Sequence, residues 1–242
     1  MKHGLLLILA SLIMLLTSCG KDPLPEEIRF SILGDSFSAF EGYVDPDSND
    51  IWYSQPPYNL TDVTSVEDMW WYKVSEETGW VLDKNNSFSG SLICNFYGYN
   101  AGPYYSPHSF IRRMDNLGNP DVIFIFGGTN DVWNGAYPGD FVYADWTEGQ
   151  LEQIRPALSY LFENLIRLYP HAKLYFLIDT YFADYDYFGE VFVESAHTIA
   201  RHYQVECIDL HDIHKAWMHP DAEGQDDIAR QVVEVLGIDF NV

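Results

Sequence analysis

Residues 28–38 read IRFSILGDSFS. The largely apolar run Ile28–Leu33 stops at Gly34, and Asp35 and Ser36 follow at once. Such a run predicts a short buried strand entering a tight turn. Gly34, without a Cβ, permits the turn. Asp35 and Ser36 suit a helix N-terminus through their side-chain oxygens and the positive end of the helix dipole. The stretch therefore delivers a hydroxyl at the C-terminal end of a strand, where ligands bind in open α/β sheets. Read alone, Ser36 is either a nucleophile or a helix cap.

Further along the chain the same pattern recurs. Asp121–Phe126, DVIFIF, is the clearest buried strand and runs into Gly127-Gly128-Thr129-Asn130-Asp131. Lys173–Ile178, Val205–Leu210 and the short Trp80–Leu82 read as further strands. Between them lie helical patterns: Val66–Thr78, stopped by Gly79; Pro107–Asn116, with Arg112 and Arg113 on or near its surface; Glu148–Tyr169; Glu190–Tyr203; and Gly224–Leu236. Pro156 falls inside the third of these and predicts either a kink or a later start. Alternating strands and helices imply an α/β fold, with a central, mostly parallel sheet between two helical layers.

Three connecting stretches stand out. Phe37–Leu60 and Trp133–Trp146 are irregular and aromatic-rich, and each follows a polar strand end. They carry Trp52, Tyr53, Tyr58, Trp133, Tyr137, Tyr143 and Trp146. Asn85–Ser91, NNSFSGS, reads as a polar loop in which Gly90 can turn a bare backbone N–H toward a ligand.

The chain of 242 residues opens MKHGLLLILASLIMLLTSCG. Gly4–Leu16 is too short to span a bilayer and suits the apolar region of a signal peptide. Leu16-Thr17-Ser18-Cys19 resembles a bacterial lipobox, which implies lipidation at Cys19. The expected organisation is a signal peptide at 1–18, a tether at 19–27 and one domain at 28–242. The implied location is the bacterial cell envelope, with membrane contact only through the lipid anchor. A formal charge of −23 argues against nucleic-acid partners and against electrostatic docking on anionic lipid. Cys94 and Cys207 can pair in an oxidising compartment or remain free thiols. His211 and His214 have metal-like spacing, but no third ligand is evident; neither metal nor cofactor is expected.

Four polar blocks now stand in order: GDS at Gly34–Ser36, NSFSGS at Asn86–Ser91, GGTND at Gly127–Asp131 and HPDAEG at His219–Gly224. That succession resembles the SGNH, or GDSL-type, hydrolases across nearly the whole domain. No GxSxG elbow, P-loop, GxGxxG or HExxH motif competes with it. The resemblance implies the flavodoxin-like three-layer α/β/α fold of that family. It also implies Ser36 as nucleophile, His219 as general base, and an oxyanion hole built from the N–H groups of Ser36 and Gly90 and the amide of Asn130. Asp35 and Trp133 are placed beside these as candidate substrate contacts.

One departure stands against the pattern. The family sets an Asp three residues before the histidine, and here that position is Ala216. Another carboxylate can substitute, Asp212 first and then Asp209 or Asp221. A backbone carbonyl can orient the ring instead, leaving a Ser–His dyad. The third alternative is a weakened or non-catalytic relative. The expected reaction is ester hydrolysis, with an acylated glycan or small molecule as substrate and short acyl groups on carbohydrate favoured by the aromatic loops. Lipid esters, acyl transfer and non-catalytic glycan binding are the rival readings.

Overall fold

A computed structural model of the chain describes residues 27–44, 51–56, 60–96, 106–181 and 187–238. Residues 1–18, where a signal peptide is expected, Cys19 and Tyr58 lie outside the described residues. Strands β1 (Arg29–Gly34), β2 (Val81–Ser87), β3 (Val122–Phe126), β4 (Lys173–Asp179) and β5 (Glu206–Leu210) form one sheet in the order β2-β1-β3-β4-β5. Every neighbouring pair in it is parallel. This is the doubly wound order in which β1 and β3 lie side by side at the point where the winding reverses.

Strand periodicity sorts the two faces. Ile123 and Ile125 of β3 join a buried cluster with Leu158, Leu161 and Leu165 of α4 (Ile154–Leu168) and Ala196 and Ile199 of α5 (Tyr187–Tyr203). Val122, Phe124 and Phe126 face the other way, toward Trp70 and Val74 of α1 (Trp70–Thr78) and Ile228 and Val232 of α6 (Ala222–Val235). A strand buried on both faces reads as a continuous apolar run, which is why β3 is so clear in the sequence. The result is the expected three-layer α/β/α sandwich.

Several boundaries differ from the sequence expectation. The true start of α4 is Ile154, with residues 148–153 in turns, so Pro156 sits in the first helical turn, where its missing N–H breaks no intrahelical bond. Val66–Asp68 is a separate 3-10 turn ahead of α1. The Pro107–Asn116 pattern resolves into a 3-10 turn at Ser106–His108 and the short α2 (Phe110–Arg113).

The larger difference is at β2. The stretch Asn85–Ser87, expected to be loop, continues the strand beside Ile32–Gly34. Its polar side chains are all partnered: Asn85 Nδ2 donates to Ser38 O (2.9 Å), Asn86 Nδ2 to Arg113 O (2.9 Å) and Ser87 Oγ to Asn85 Oδ1 (2.6 Å). Buried amides are tolerated when such bonds replace those to water. Cys94 is buried, Cys207 is half-buried, and both are free thiols. No helix among the described residues is long and apolar enough to cross a membrane.

Candidate active site

Ser36 opens a 3-10 turn, Ser36–Ser38, directly after β1. Gly34 allows this by close approach rather than by unusual backbone: a Cβ there would lie 2.6 Å from Ser87 Oγ. Asp35 caps the turn by accepting from Phe37 N at 3.0 Å. Across the edge, β3 runs through Gly128 at φ 105° into the short helix α3 (Thr129–Trp133), which carries Asn130. A side chain at Gly128 would meet both the left-handed backbone and the Phe192 ring, so the block tolerates only glycine there.

His219 comes from outside the main sheet. It begins β7 (His219–Pro220), which pairs antiparallel with β6 (Lys215–Ala216), Ala216 opposite His219. The two residues between them, Trp217 and Met218, both take positive φ, 53° and 69°. That is the backbone hand of a tight two-residue hairpin turn, at a cost of about 1 kcal/mol per non-glycine residue. The imidazole reaches Ser36, with Nε2 3.0 Å from Oγ.

Aromatic rings enclose this imidazole. Trp52 stacks on it with centroids 3.8 Å apart and planes 8° apart, and Phe37 meets it edge-on at 5.3 Å. Tyr53 is buried and donates its hydroxyl proton to Pro220 O at 2.6 Å, pinning the next residue. Burial in this box lowers the His219 pKa to about 4, against a smaller upward pull from the Trp217 carbonyl. The ring is therefore neutral at physiological pH.

Ser36, Trp52, Ser89, Gly90, Asn130, Trp133 and His219 line one cleft of about 260 Å³. All the residues expected to form the nucleophile, base and oxyanion donors thus line the same cleft. Trp133 is there as expected. Asp35 is not: it lies buried beneath the cleft with its oxygens on Phe37 N and on Asn130 Nδ2 (3.2 Å), which corrects its assignment as a substrate contact. Burial pushes the Asp35 carboxyl up to about 7, opposed first by the hydrogen bond from Phe37 N and then by Arg113, and reinforced by nearby Asp131. The other acceptor for Asn130 Nδ2 is Ser91 O at 3.1 Å. An amide nitrogen has two protons, so donation to a ligand requires sharing or exchanging one of these two bonds.

Of the alternatives for the group behind His219, the substitute carboxylates do not reach the ring. Asp212 is exposed, with φ 53°, and makes no hydrogen bond to the imidazole. Asp209 pairs with His197 at 3.1 Å. Asp221 caps α6 through Gly224 N (3.1 Å) and holds His214 Nδ1 at 2.5 Å. The atom facing His219 Nδ1 is the carbonyl oxygen of Trp217, at 3.4 Å. A hairpin only two residues wide turns this carbonyl back on the ring, and no side-chain pattern announces it.

Other contributors were also hidden. Asp131, the last letter of GGTND, accepts from Ile93 N (2.8 Å) and Cys94 N (3.1 Å) and so holds the chain just past Gly90. Arg113, expected on or near the surface, is buried under the cleft. Of the loop aromatics, Tyr143 stacks on His202 and Trp146 packs edge-on to Tyr160, away from the site. His211 Nδ1 lies 2.9 Å from Thr180 Oγ1, so His211 and His214 have separate partners.

With this geometry in place, the likenesses to known proteins fall into order. Residues 28–236 match the family model described as GDSL-like lipase/acylhydrolase, and the chain belongs to that hydrolase family. It is similar, at 46% identity and TM-score 0.81, to a structure from Bacteroides ovatus described as a GDSL-like lipase, over 87% of this chain and 98% of that one. A counterpart from Bacteroides uniformis shows 43% identity and TM-score 0.81, over 87% and 96%. A likeness of fold alone, at 16% identity and TM-score 0.55, extends to an acetyl xylan esterase from Butyrivibrio proteoclasticus, over 89% of this chain and 64% of that one. None of the curated proteins matches the sequence.

Proposed function

We propose that the protein is a serine carboxylic ester hydrolase that removes short acyl groups, acetyl foremost, from carbohydrate, working as a Ser36–His219 dyad. The observation that carries this reading is the 3.0 Å contact between His219 Nε2 and Ser36 Oγ, at the edge of the cleft that Asn130 and Gly90 also line. A serine hydroxyl needs a base at that distance to become a nucleophile. With the Nδ1 proton directed at Trp217 O, the Nε2 lone pair faces the hydroxyl, which is the tautomer a base requires.

In the reaction, Ser36 Oγ bonds to the acyl carbon while its proton passes to His219 Nε2. The carbonyl oxygen becomes an oxyanion, for which the N–H groups of Ser36 and Gly90 and the amide of Asn130 are the candidate donors. Collapse breaks the bond to the alcohol, which takes the proton from His219. Water then repeats the sequence on the acyl-enzyme.

Support for the substrate class is the cleft itself. About 260 Å³, with Trp52 and Trp133 among the lining residues, is room for a short acyl group. Indole faces suit the apolar faces of sugar rings. Ser89 Oγ, on a residue of the cleft wall, is buried without a hydrogen-bond partner among the described residues, which favours an oxygen-rich ligand. The leader and Cys19 would tether this activity in the cell envelope.

The test is hydrolysis of a series of aryl esters from acetyl to decanoyl, beside Ser36→Ala. Turnover highest on the shortest esters and reduced by at least about 10³-fold in Ser36→Ala is the expected result. A preference for the longest chains would remove the carbohydrate part of the reading. Absence of turnover with retained sugar binding would replace it with the non-catalytic alternative.

A further inference from the structure

Beneath the cleft lies a cation that the proposed reaction does not use. Arg113 is only 6% exposed, at the end of α2. Its Nη2 donates to Gly34 O (3.1 Å) and to Ser91 Oγ (3.0 Å). Nη1 donates to Asn86 O and, at 3.2 Å, to Asn86 Oδ1. Nε donates to His108 O at 2.6 Å. One planar group thus binds the ends of β1 and β2, the residue after Gly90, and the turn before α2.

The bonded residues are neighbours of the candidate donors. Gly34 lies two positions before Ser36. Ser91 follows Gly90 and lends its carbonyl to Asn130 at 3.1 Å. Asn130 in turn meets Asp35, whose carboxylate feels the guanidinium charge without a hydrogen bond from it. The three donors come from three separate segments, and Arg113 bridges two of them directly and the third through Ser91. Lysine cannot reproduce this, because its three protons leave a single nitrogen while the guanidinium fork spreads five over a plane. Burying a cation is costly, and desolvation lowers the Arg113 pKa to about 9, which still leaves it charged at neutral pH.

We propose that Arg113 is the positioning residue of the oxyanion hole, holding the Ser36, Gly90 and Asn130 donors in one register through Gly34 O and Ser91. The proposal rests on the serine esterase reading for its kinetic consequence, but its geometric content stands apart from turnover.

The experiment compares the parent with Arg113→Lys, Ser91→Ala and, as an exposed neighbour, Arg112→Met. Kinetics on a short-chain aryl ester are read beside inhibition by a short alkylboronic acid. In that adduct one O–B bond forms from Ser36 Oγ, the Oγ–H bond breaks as its proton passes to His219, no bond to boron breaks, and boron becomes a tetrahedral anion. Misplacing donors by about 1 Å costs on the order of 10²-fold. We expect Arg113→Lys to lower kcat by roughly 10- to 100-fold, with KM held within about twofold and boronate affinity falling in parallel. Ser91→Ala, which removes one tie and leaves the guanidinium buried, should show the same split at several-fold. Amide signals of Ser36 and Gly90 and the Asn130 side-chain amide should shift in both variants, and in Arg112→Met nothing should change.

Loss of kcat and boronate affinity together, with those signals displaced, supports the proposal. Unmoved signals with kcat and boronate affinity within about twofold of the parent would overturn it. So would a rise in KM with kcat intact, since that is the signature of lost ground-state binding. Should the parent show no turnover, the esterase reading falls, and the amide signals of Ser91→Ala still decide whether Arg113 holds the donors.

Discussion

The two halves of the candidate site are built on opposite principles. On the Ser36 side, the ends of β1, β2 and β3 are joined by buried hydrogen bonds, several of them to charged groups. Asp131 holds two backbone N–H groups, Arg113 holds carbonyls from three segments, and Asp35 and Ser91 hold Asn130. On the base side, His219 has one ring nitrogen on Ser36 and the other on a carbonyl 3.4 Å away, and is held mainly by stacked rings and a strained hairpin. The hairpin is tied to the sheet by the buried Lys215–Asp179 ion pair at 2.8 Å. Charge that develops in a transition state needs fixed dipoles, and so a rigid frame. A base needs a lone pair in the right place and a suitable pKa, and apolar packing supplies both by excluding water.

If that contrast is right, the largest loss short of removing Ser36 or His219 themselves comes from the polar half. Asn130→Ala should lower kcat by about 10²–10³-fold with little change in KM. A loss below tenfold would mean that the amide is occupied by Asp35 and Ser91 throughout the reaction and only braces the loop.

The aromatic half breaks in a different observable. His219 must be neutral to accept a proton, so the acidic limb of kcat/KM should lie near its lowered pKa of about 4. Trp52→Ala admits water to the ring and removes part of the desolvation that lowers the pKa. Its limb should therefore move to higher pH, toward the ordinary histidine value of about 6.5, with up to roughly fourfold less turnover near pH 6. A limb that stays in place would show that the box shapes the cleft without tuning the base.

The smallest effect sharpens the comparison most. Asp212→Asn should leave kcat/KM within about twofold, because its carboxylate is exposed and does not reach the imidazole. A triad carboxylate removed in this way costs about 10⁴-fold in a serine protease. Any loss approaching that size would mean the loop rearranges on binding substrate and the site is a triad after all.

The parts that were legible in the chain share a physical cause. β1, β3 and β4 are buried on both faces, so apolar composition alone marks them, and the small polar residues that end β1 and β3 are the places where a parallel sheet exposes chemistry. The order of the four blocks carried Ser36, Gly90, Asn130 and His219 to one edge. β2 was shortened because Asn85, Asn86 and Ser87 read as loop, and Arg113 was put near the surface because a charge on a short helix ordinarily faces water. Both readings failed for the same reason: partners as distant as Gly34, 79 positions from Arg113, make burial tolerable.

Local chemistry, then, was enough for the sheet, the turn that carries Ser36 and the absence of an acid at Ala216, since each depends on residues a few positions apart. Folding had to decide what stands behind His219, which rings cover it and which cation lies under the oxyanion donors. Those are contacts between backbone atoms and side chains far apart in the chain. A backbone carbonyl is present at every residue, so nothing in the letters distinguishes the one at Trp217 until the hairpin turns it toward the imidazole.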